Sequence, residues 1–139
     1  MILLDTDVVS TLMKIHLDPV LAIWLRQQSQ DQLMTSAPTV FEISAGVEMK
    51  PIGQRRQTLE LALRQVITST LGNRVATFDL KSAEAAGRMR ALQLGRGRNV
   101  SIPDSLIAGV AMSLGVPLAT RNVRDFSNLG LQLINPWMP

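Results

Sequence analysis

The feature of this chain that most constrains its fold is a regular alternation of short apolar runs with segments of helical pattern. Strands that alternate with helices along a whole chain favour a mostly parallel sheet with helices on both faces. We therefore expect one α/β domain over residues 1–139, in three layers around a sheet of about five strands. The apolar runs predict strands at residues 2–4, 33–36, 74–78, 117–120 and 131–134.

Helix start and stop signals lie between these runs. Asp18-Pro19 provides a capping side chain followed by a proline in the first turn. Thr39 and Glu42 have the spacing of a capping box. Pro103-Asp104 opens a further helix, for which Gly115 is the expected C-terminal cap. Helices are also predicted over residues 52–71 and 80–94.

The inventory of reactive side chains excludes several kinds of site. The chain has no cysteine and a single histidine, His16. Disulfide scaffolds, thiolate zinc sites and cysteine nucleophiles are therefore excluded. A Ser-His-Asp arrangement would have to depend on His16 alone. Carboxylates are therefore the main side chains left that could carry out catalysis.

Acidic residues stand near the ends of predicted strands, where open parallel sheets carry their chemistry. Asp5 closes the first strand, Glu42 lies in the helix after the second, and Asp104 begins the helix before the fourth. Carboxylates gathered at one sheet edge repel one another unless a cation neutralises them, and Mg²⁺ and Mn²⁺ prefer oxygen ligands. The alternative is that each acid only caps or complements a helix N-terminus. This alternative fits Asp5 least, because Asp5 directly follows a buried strand.

Charge is unevenly distributed along the chain. The formal net charge is +3, from 14 basic and 11 acidic residues. Residues 1–50 hold six acids and three bases, which gives −3, whereas residues 51–139 hold five acids and 11 bases, which gives +6. The densest basic patch is either an ordinary solvated surface or a track for nucleic-acid phosphates. This patch comprises Arg88, Arg90, Arg96 and Arg98.

No stretch of the sequence is typical of a membrane span or a secretory signal. The longest uncharged stretch, residues 105–120, is broken by Gly109, Gly115 and Pro117, and a span needs about 20 apolar residues. The opening residues lack the basic start of a signal peptide. We expect a cytoplasmic protein with no membrane partner.

Five motifs, in order along nearly the whole chain, resemble those of PIN-domain ribonucleases of the VapC type, the toxins of bacterial toxin–antitoxin pairs. An apolar strand leads into Asp5-Thr6-Asp7, and a helix carrying Glu42 follows the second strand. Asp104 lies in the third motif, and Thr120 lies in the fourth. Each motif is short, and their order over one small domain makes the resemblance specific. The motifs occupy residues 1–10, 35–43, 102–108, 118–126 and 133–137.

The resemblance implies a PIN-like three-layer fold and Mg²⁺- or Mn²⁺-dependent cleavage of RNA phosphodiester bonds. By position, it makes Asp5, Glu42 and Asp104 the catalytic acids. Asp5 and Asp104 would ligate the metal directly, while Glu42 would bind metal or orient the attacking water. The hydroxyl of Thr120 would hold a carboxylate or a water.

Two positions depart from the family pattern. Asn122 stands where the family often has a fourth acid, and its amide can ligate weakly but supplies no charge. Asp125, three residues further, either takes over that place or caps the next turn. Asp7 stands where asparagine is commoner, and it adds negative charge near the metal. These departures leave open whether one or two metal ions bind.

The resemblance also implies partners. RNA is the expected substrate, and Arg121 and Arg124, close in sequence to the acidic residues, would steer its phosphates. A VapB-type antitoxin and a second copy of the chain, in a homodimer, are the other expected partners. The basic patch would either extend the RNA track or pair with an acidic segment of the antitoxin.

Two rival functions remain open from the sequence alone. Asp5-Thr6-Asp7 after an apolar strand also resembles the first motif of haloacid-dehalogenase-type phosphatases, in which Asp5 would be the nucleophile and Asp7 the general acid/base. The downstream paired-acid motif of that family is missing, and the chain is short for its fold. The second rival is a PIN module with a decayed site that binds RNA or protein without cleavage, for which Asn122 is the best support.

Overall fold

Five parallel strands form one sheet at the centre of the molecule in the computed structural model, which describes residues 1–139. The strands lie in the order β3-β2-β1-β4-β5, and every neighbouring pair is parallel. The expected parallel sheet of about five strands is confirmed. The strands are β1 (Ile2–Leu4), β2 (Leu33–Ser36), β3 (Val75–Ala76), β4 (Leu118–Ala119) and β5 (Leu133–Ile134).

Helices connect the strands and cover both faces of the sheet. A short 3₁₀ helix (Gln30–Gln32) precedes β2, and a π-helical turn (Val66–Thr70) extends the fourth α-helix. The α-helices are α1 (Thr6–Leu12), α2 (Pro19–Arg26), α3 (Ala37–Glu48), α4 (Gln54–Gln65), α5 (Leu80–Gly95), α6 (Ile102–Leu114) and α7 (Val123–Phe126).

Two apolar clusters, one on each face of the sheet, form the core. Successive side chains of a strand point to opposite faces, and Leu4 packs in one cluster while Leu3 packs in the other. The first cluster lies among α1 to α4 and includes the buried Trp24. The second cluster lies under α5 and α6 and includes Ile107 and Phe126. Helices on both faces of one sheet give the three layers expected from the sequence.

Strand order brings distant parts of the sequence to one edge. β1 is central, with β2 on one side and β4 on the other. From β1 the chain adds β2 and β3 on one side of the sheet and later adds β4 and β5 on the other side, so the strand order reverses next to β1. Open α/β sheets bind ligands outside the carboxyl ends of the strands at such a switch point. The residues that follow β1, β2 and β4 therefore lie next to one another.

Close packing of α6 on α5 fixes the start of α6. A Cβ atom at Gly109 would lie 2.4 Å from the backbone oxygen of Ser82 and 2.7 Å from the Cβ of Ala86. The two helices can approach this closely only because residue 109 has no side chain. This contact sets the position of Asp104, which lies in the first turn of α6.

Local capping differs from several expectations. The helix α1 was not expected from the sequence, and Asp5 caps it by accepting a hydrogen bond from the backbone N–H of Thr6. Ser36, and not Thr39, caps α3, because its Oγ accepts from the N–H of Thr39 at 3.2 Å. Glu42 takes no part in a capping box. Gly115 ends α6 in the left-handed conformation, as expected.

Other helix boundaries shift by a few residues. The helix expected over residues 52–71 begins at Gln54 and ends in the π-helical turn. Ser101 caps α6, two residues before the predicted start at Pro103-Asp104. The third strand is shorter than predicted and spans Val75–Ala76. No helix of the chain is both long enough and apolar enough to cross a membrane.

Candidate active site

A polar cavity of about 340 Å³ lies at the carboxyl edge of the sheet. None of the seven residues that line it is hydrophobic. A larger cavity of about 580 Å³ lies between the end of α1 and α4, but no acidic residue lines it. Because Asp5, Glu42 and Asp104 all line the smaller cavity, it is the candidate site. Its lining residues are Asp5, Thr6, Asp7, Glu42, Asp104, Arg121 and Asn122.

Asp5 is the most deeply buried acid of this cavity. It follows β1 directly and is only 4% exposed. Its Oδ1 accepts a hydrogen bond from the N–H of Thr6 at 2.8 Å, and its Oδ2 accepts from the hydroxyl of Thr120 at 2.7 Å. Burial raises the pKa of Asp5 to about 7, and the negative charge of Asp7 adds to that rise. The two hydrogen bonds fix the carboxyl group in one orientation.

Glu42 reaches the cavity from α3. Its Oε1 accepts a hydrogen bond from the hydroxyl of Thr6 at 2.5 Å, so the residue after Asp5 in sequence holds it in place. Oε2 makes no hydrogen bond within the chain and is available to a ligand or a water. The sequence did not single out Thr6, although its place between two acids at a strand end was a usable signal.

Asp7 lies in the first turn of α1 and carries an unpaired oxygen. Its Oδ2 accepts a hydrogen bond from the backbone N–H of Arg121 at 3.1 Å, which links the ends of β1 and β4. Its Oδ1 is buried without a hydrogen-bond partner. Burial raises the pKa of Asp7, and the N–H of Arg121 offsets part of that rise. A buried carboxylate oxygen without a partner is costly unless a ligand or cation satisfies it.

Asp104 enters the cavity from the first turn of α6. Its backbone N–H donates to Ser101 Oγ at 3.2 Å as part of the helix cap. Burial raises the pKa of Asp104, and the negative charges of Glu42, Asp125 and Asp7 contribute to the rise. Asp104 stands in the first turn of α6, as the helix-terminus alternative expects, and it also lines the cavity.

The segment after β4 completes the cavity. Thr120 is fully buried, donates to Asp5 and accepts from the N–H of Asn122 at 2.9 Å. Asn122 lines the cavity, and its Nδ2 donates to Asp125 Oδ2 at 2.6 Å. Asp125 itself is not among the lining residues. Asn122 therefore lines the cavity, and Asp125 contacts it without lining the cavity.

The arginines named from the sequence have different surroundings. Arg121 lines the cavity, whereas Arg124 does not. In the basic patch, Arg90 donates to the backbone oxygen of Val100 at 2.7 Å. Arg96 and Arg98 likewise bond backbone oxygens, of Asn128 at 2.7 Å and of Arg124 at 3.1 Å. Three of the four arginines of the patch thus brace loops of their own chain.

The donor set suits a hard divalent cation. The acids present oxygen atoms only, Asp7 Oδ1 lacks a partner, and burial together with the charges of neighbouring acids raises the pKa of Asp5 and of Asp104. A cation in the cavity would satisfy the unpaired oxygen and offset the negative charge. No group of three acidic side chains in the chain is already arranged around a single ion position.

Comparison with known proteins adds an independent line of evidence. The sequence profile of the PIN domain family matches residues 2–131. The chain is 34% identical over 137 residues to the plasmid stability protein StbB of Pseudomonas syringae, and the matched region covers 99% of each chain. It is also 34% identical over 139 residues to the VapC ribonuclease Y4jK of Sinorhizobium fredii, which covers 100% of this chain and 99% of that one. The crystal structure of FitAcB from Neisseria gonorrhoeae superposes with a TM-score of 0.86 at 28% identity, over the full length of both chains.

Proposed function

The chain belongs to the PIN domain family, and we propose that it hydrolyses RNA phosphodiester bonds with a divalent cation, Mg²⁺ or Mn²⁺, as the toxin of a toxin–antitoxin pair. Its relatives include a VapC ribonuclease. Family membership removes the haloacid-dehalogenase alternative. The decayed-module alternative remains as one outcome of the experiment below.

The observation that carries the proposal is the meeting of Asp5, Glu42 and Asp104 in one cavity with no hydrophobic lining. These acids come from the end of β1, from α3 and from the start of α6, and no single local motif accounts for their convergence. Burial raises the pKa of both Asp5 and Asp104, which marks the cavity as a place where negative charge lacks compensation.

Each acid has a role in the proposed reaction. Asp5 and Asp104 would hold the cation, and the hydrogen bonds from Thr120 and Thr6 fix the Asp5 carboxyl group. The cation, when bound, supplies Lewis acidity towards the phosphate and lowers the pKa of a water. Glu42, with its free Oε2, orients the attacking water or adds a ligand.

The remaining predicted residues act around these acids. Asn122 would contribute a neutral oxygen at the fourth position, since its Nδ2 is already committed to Asp125. Asp125 adds charge from behind without entering the cavity. Arg121 and Arg124 would contact RNA phosphates, Arg121 at the cavity and Arg124 from the exposed side of α7.

The proposal extends to partners and location. We propose a VapB-type antitoxin that neutralises the chain, and a homodimer as its assembled state. Both follow from the VapC resemblance. We also propose that the chain acts in the cytoplasm, because its proposed substrate, cellular RNA, is available there.

Cleavage of structured RNA by the purified chain, freed of any partner, tests the proposal. We expect cleavage with Mg²⁺ or Mn²⁺, none with EDTA, and loss of cleavage in Asp5→Ala and Asp104→Ala with unchanged circular dichroism. Glu84→Gln is the matched control, because it removes an exposed carboxylate of α5 outside the cavity. Undiminished cleavage in both cavity variants would refute the proposed site. A folded wild-type chain that binds RNA without cutting it would indicate the decayed module.

A further inference from the structure

Several arginines of the chain engage their guanidinium groups in hydrogen bonds or ion pairs, whereas Arg121 does not. Arg56 pairs with Glu48 and Glu60, and Arg74 donates to backbone oxygens of Leu33 and Gln30. The guanidinium of Arg121, by contrast, makes no hydrogen bond or salt bridge within the chain; its backbone N–H alone is engaged. It is nevertheless the cationic residue that lines the acidic cavity.

An aromatic ring holds this guanidinium in place. The Cζ of Arg121 lies 3.8 Å from the centroid of the Trp137 ring, within the range of a cation–π contact. A guanidinium stacked on a ring keeps its planar fork of donors free at the edges. The contact therefore restrains the side chain without using the N–H groups that bind phosphate.

The ring itself is fixed by the C-terminal turn. β5 pairs with β4, and directly after it Asn135 Oδ1 accepts a hydrogen bond from the N–H of Trp137 at 3.0 Å. The N–H of Met138 donates to the backbone oxygen of Asn135 at 3.0 Å, which closes the turn. Trp137 also packs against the apolar cluster of the first face. A rigid turn thus presents the ring beside the residue that follows Thr120.

We propose that Arg121 binds a backbone phosphate of RNA at the rim of the acidic cavity, and that Trp137 is the positioning residue that holds its guanidinium ready. This inference rests on the proposed function for the identity of the ligand. The physical reason is that an acidic cavity repels RNA, so a phosphate beside it needs a cation that is not already paired with the acids. The ring restrains Arg121 in that unpaired state.

Equilibrium binding tests the inference without relying on cleavage. The probe is a short fluorescent single-stranded RNA, titrated in EDTA at several salt concentrations and followed by anisotropy. We expect Arg121→Ala to weaken binding about tenfold, as for loss of a charge-assisted contact, and to reduce the salt slope by about 0.7, as for one phosphate on a single strand. Trp137→Leu should weaken binding about threefold, and Trp137→Phe should restore most of that loss.

Arg55→Ala is the matched control, because Arg55 is an exposed, unpaired arginine of α4 outside the cavity. In cleavage assays, Trp137→Leu should raise KM and leave kcat within about twofold, since it removes binding that substrate and transition state share. The inference is overturned if Arg121→Ala binds like Arg55→Ala, or if Trp137→Phe and Trp137→Leu lower kcat equally with KM unchanged. Because binding is read in EDTA, a chain that binds RNA through Arg121 but never cleaves it would contradict the proposed function alone.

Discussion

Replacement of Asp5 by asparagine should abolish cleavage and at the same time stabilise the metal-free protein at alkaline pH. The change removes a charge from a carboxyl group that is 4% exposed. An amide fits the existing contacts, because its oxygen can accept from the N–H of Thr6 and its NH₂ can donate to the hydroxyl oxygen of Thr120. The fold therefore loses a buried charge and retains its hydrogen bonds to this side chain.

The magnitude follows from the pKa of Asp5, which burial raises from 3.8 to about 7. Each unit by which the pKa differs between the folded and unfolded states corresponds to about 1.4 kcal/mol of unfolding free energy. Below pH 4 the carboxyl group is protonated in both states and costs nothing. Between pH 4 and 7 the unfolded chain releases the proton while the folded chain keeps it, so the free energy of unfolding falls as pH rises. The full penalty, present above pH 7, is about 4 kcal/mol.

Urea unfolding in EDTA at pH 5 and pH 8 measures this penalty. Between pH 5 and pH 8 the free energy of unfolding of wild type should fall by about 3 kcal/mol more than that of Asp5→Asn. The reason is that the penalty grows over about two pH units of that interval, from pH 5 to the folded-state pKa of Asp5 at about 7. Glu84→Gln is the control and should follow wild type. Mn²⁺ should stabilise wild type at pH 8 but not Asp5→Asn. Equal losses in wild type and Asp5→Asn would refute the reasoning.

Three further variants test other contacts. Asp7→Asn should keep cleavage and stabilise the metal-free chain by about 1 kcal/mol in urea unfolding, because it removes the charge on the unpaired Oδ1; loss of cleavage would give Asp7 a chemical role. Thr120→Val removes the donor to Asp5 Oδ2, so the pKa of Asp5 should rise further and the pH–rate profile of cleavage should move to higher pH; an unmoved profile would contradict this. Gly109→Ala should lower the free energy of unfolding, measured by heat or urea, by about 3 kcal/mol, because its Cβ would meet the Ser82 backbone oxygen. An unchanged free energy of unfolding would show that α5 and α6 can move apart.

Much of the fold was predictable because the sheet is built from runs that are apolar on both faces. Leu3 and Leu4 are both fully buried, on opposite sides, so β1 appears in the sequence as a continuous apolar run. The acid that follows such a run could be placed at the sheet edge without knowledge of the strand order. Glu42 and Asp104 do not follow strands directly; they could be placed near it because they lie towards the starts of helices next to β2 and β4.

The helix α1 was not predictable from local pattern. Its sequence contains the β-branched pair Val8 and Val9, which favours a strand over a helix. Tertiary burial of both side chains and the cap from Asp5 override that preference. The capping box at Thr39 failed for a related reason, because the partner of Glu42 is Thr6, 36 residues away.

Long-range polar contacts explain the other differences. The density of arginine in residues 88–98 suggested a phosphate track, but the oxygens that Arg96 and Arg98 bond lie more than 25 residues further along the chain. The stack of Trp137 on Arg121 also joins residues from separate strands. Neither contact has a signal in local spacing, and both determine which cations remain free for RNA.

The most direct test of the central claim is anomalous diffraction from crystals of the purified chain soaked in Mn²⁺. We expect at least one strong peak in the polar cavity, with carboxylate oxygens of Asp5 and Asp104 as ligands at about 2.2 Å. The same peak should be absent in crystals of Asp104→Asn. A chain that cleaves RNA in Mn²⁺ while its only peak lies outside this cavity would contradict the account.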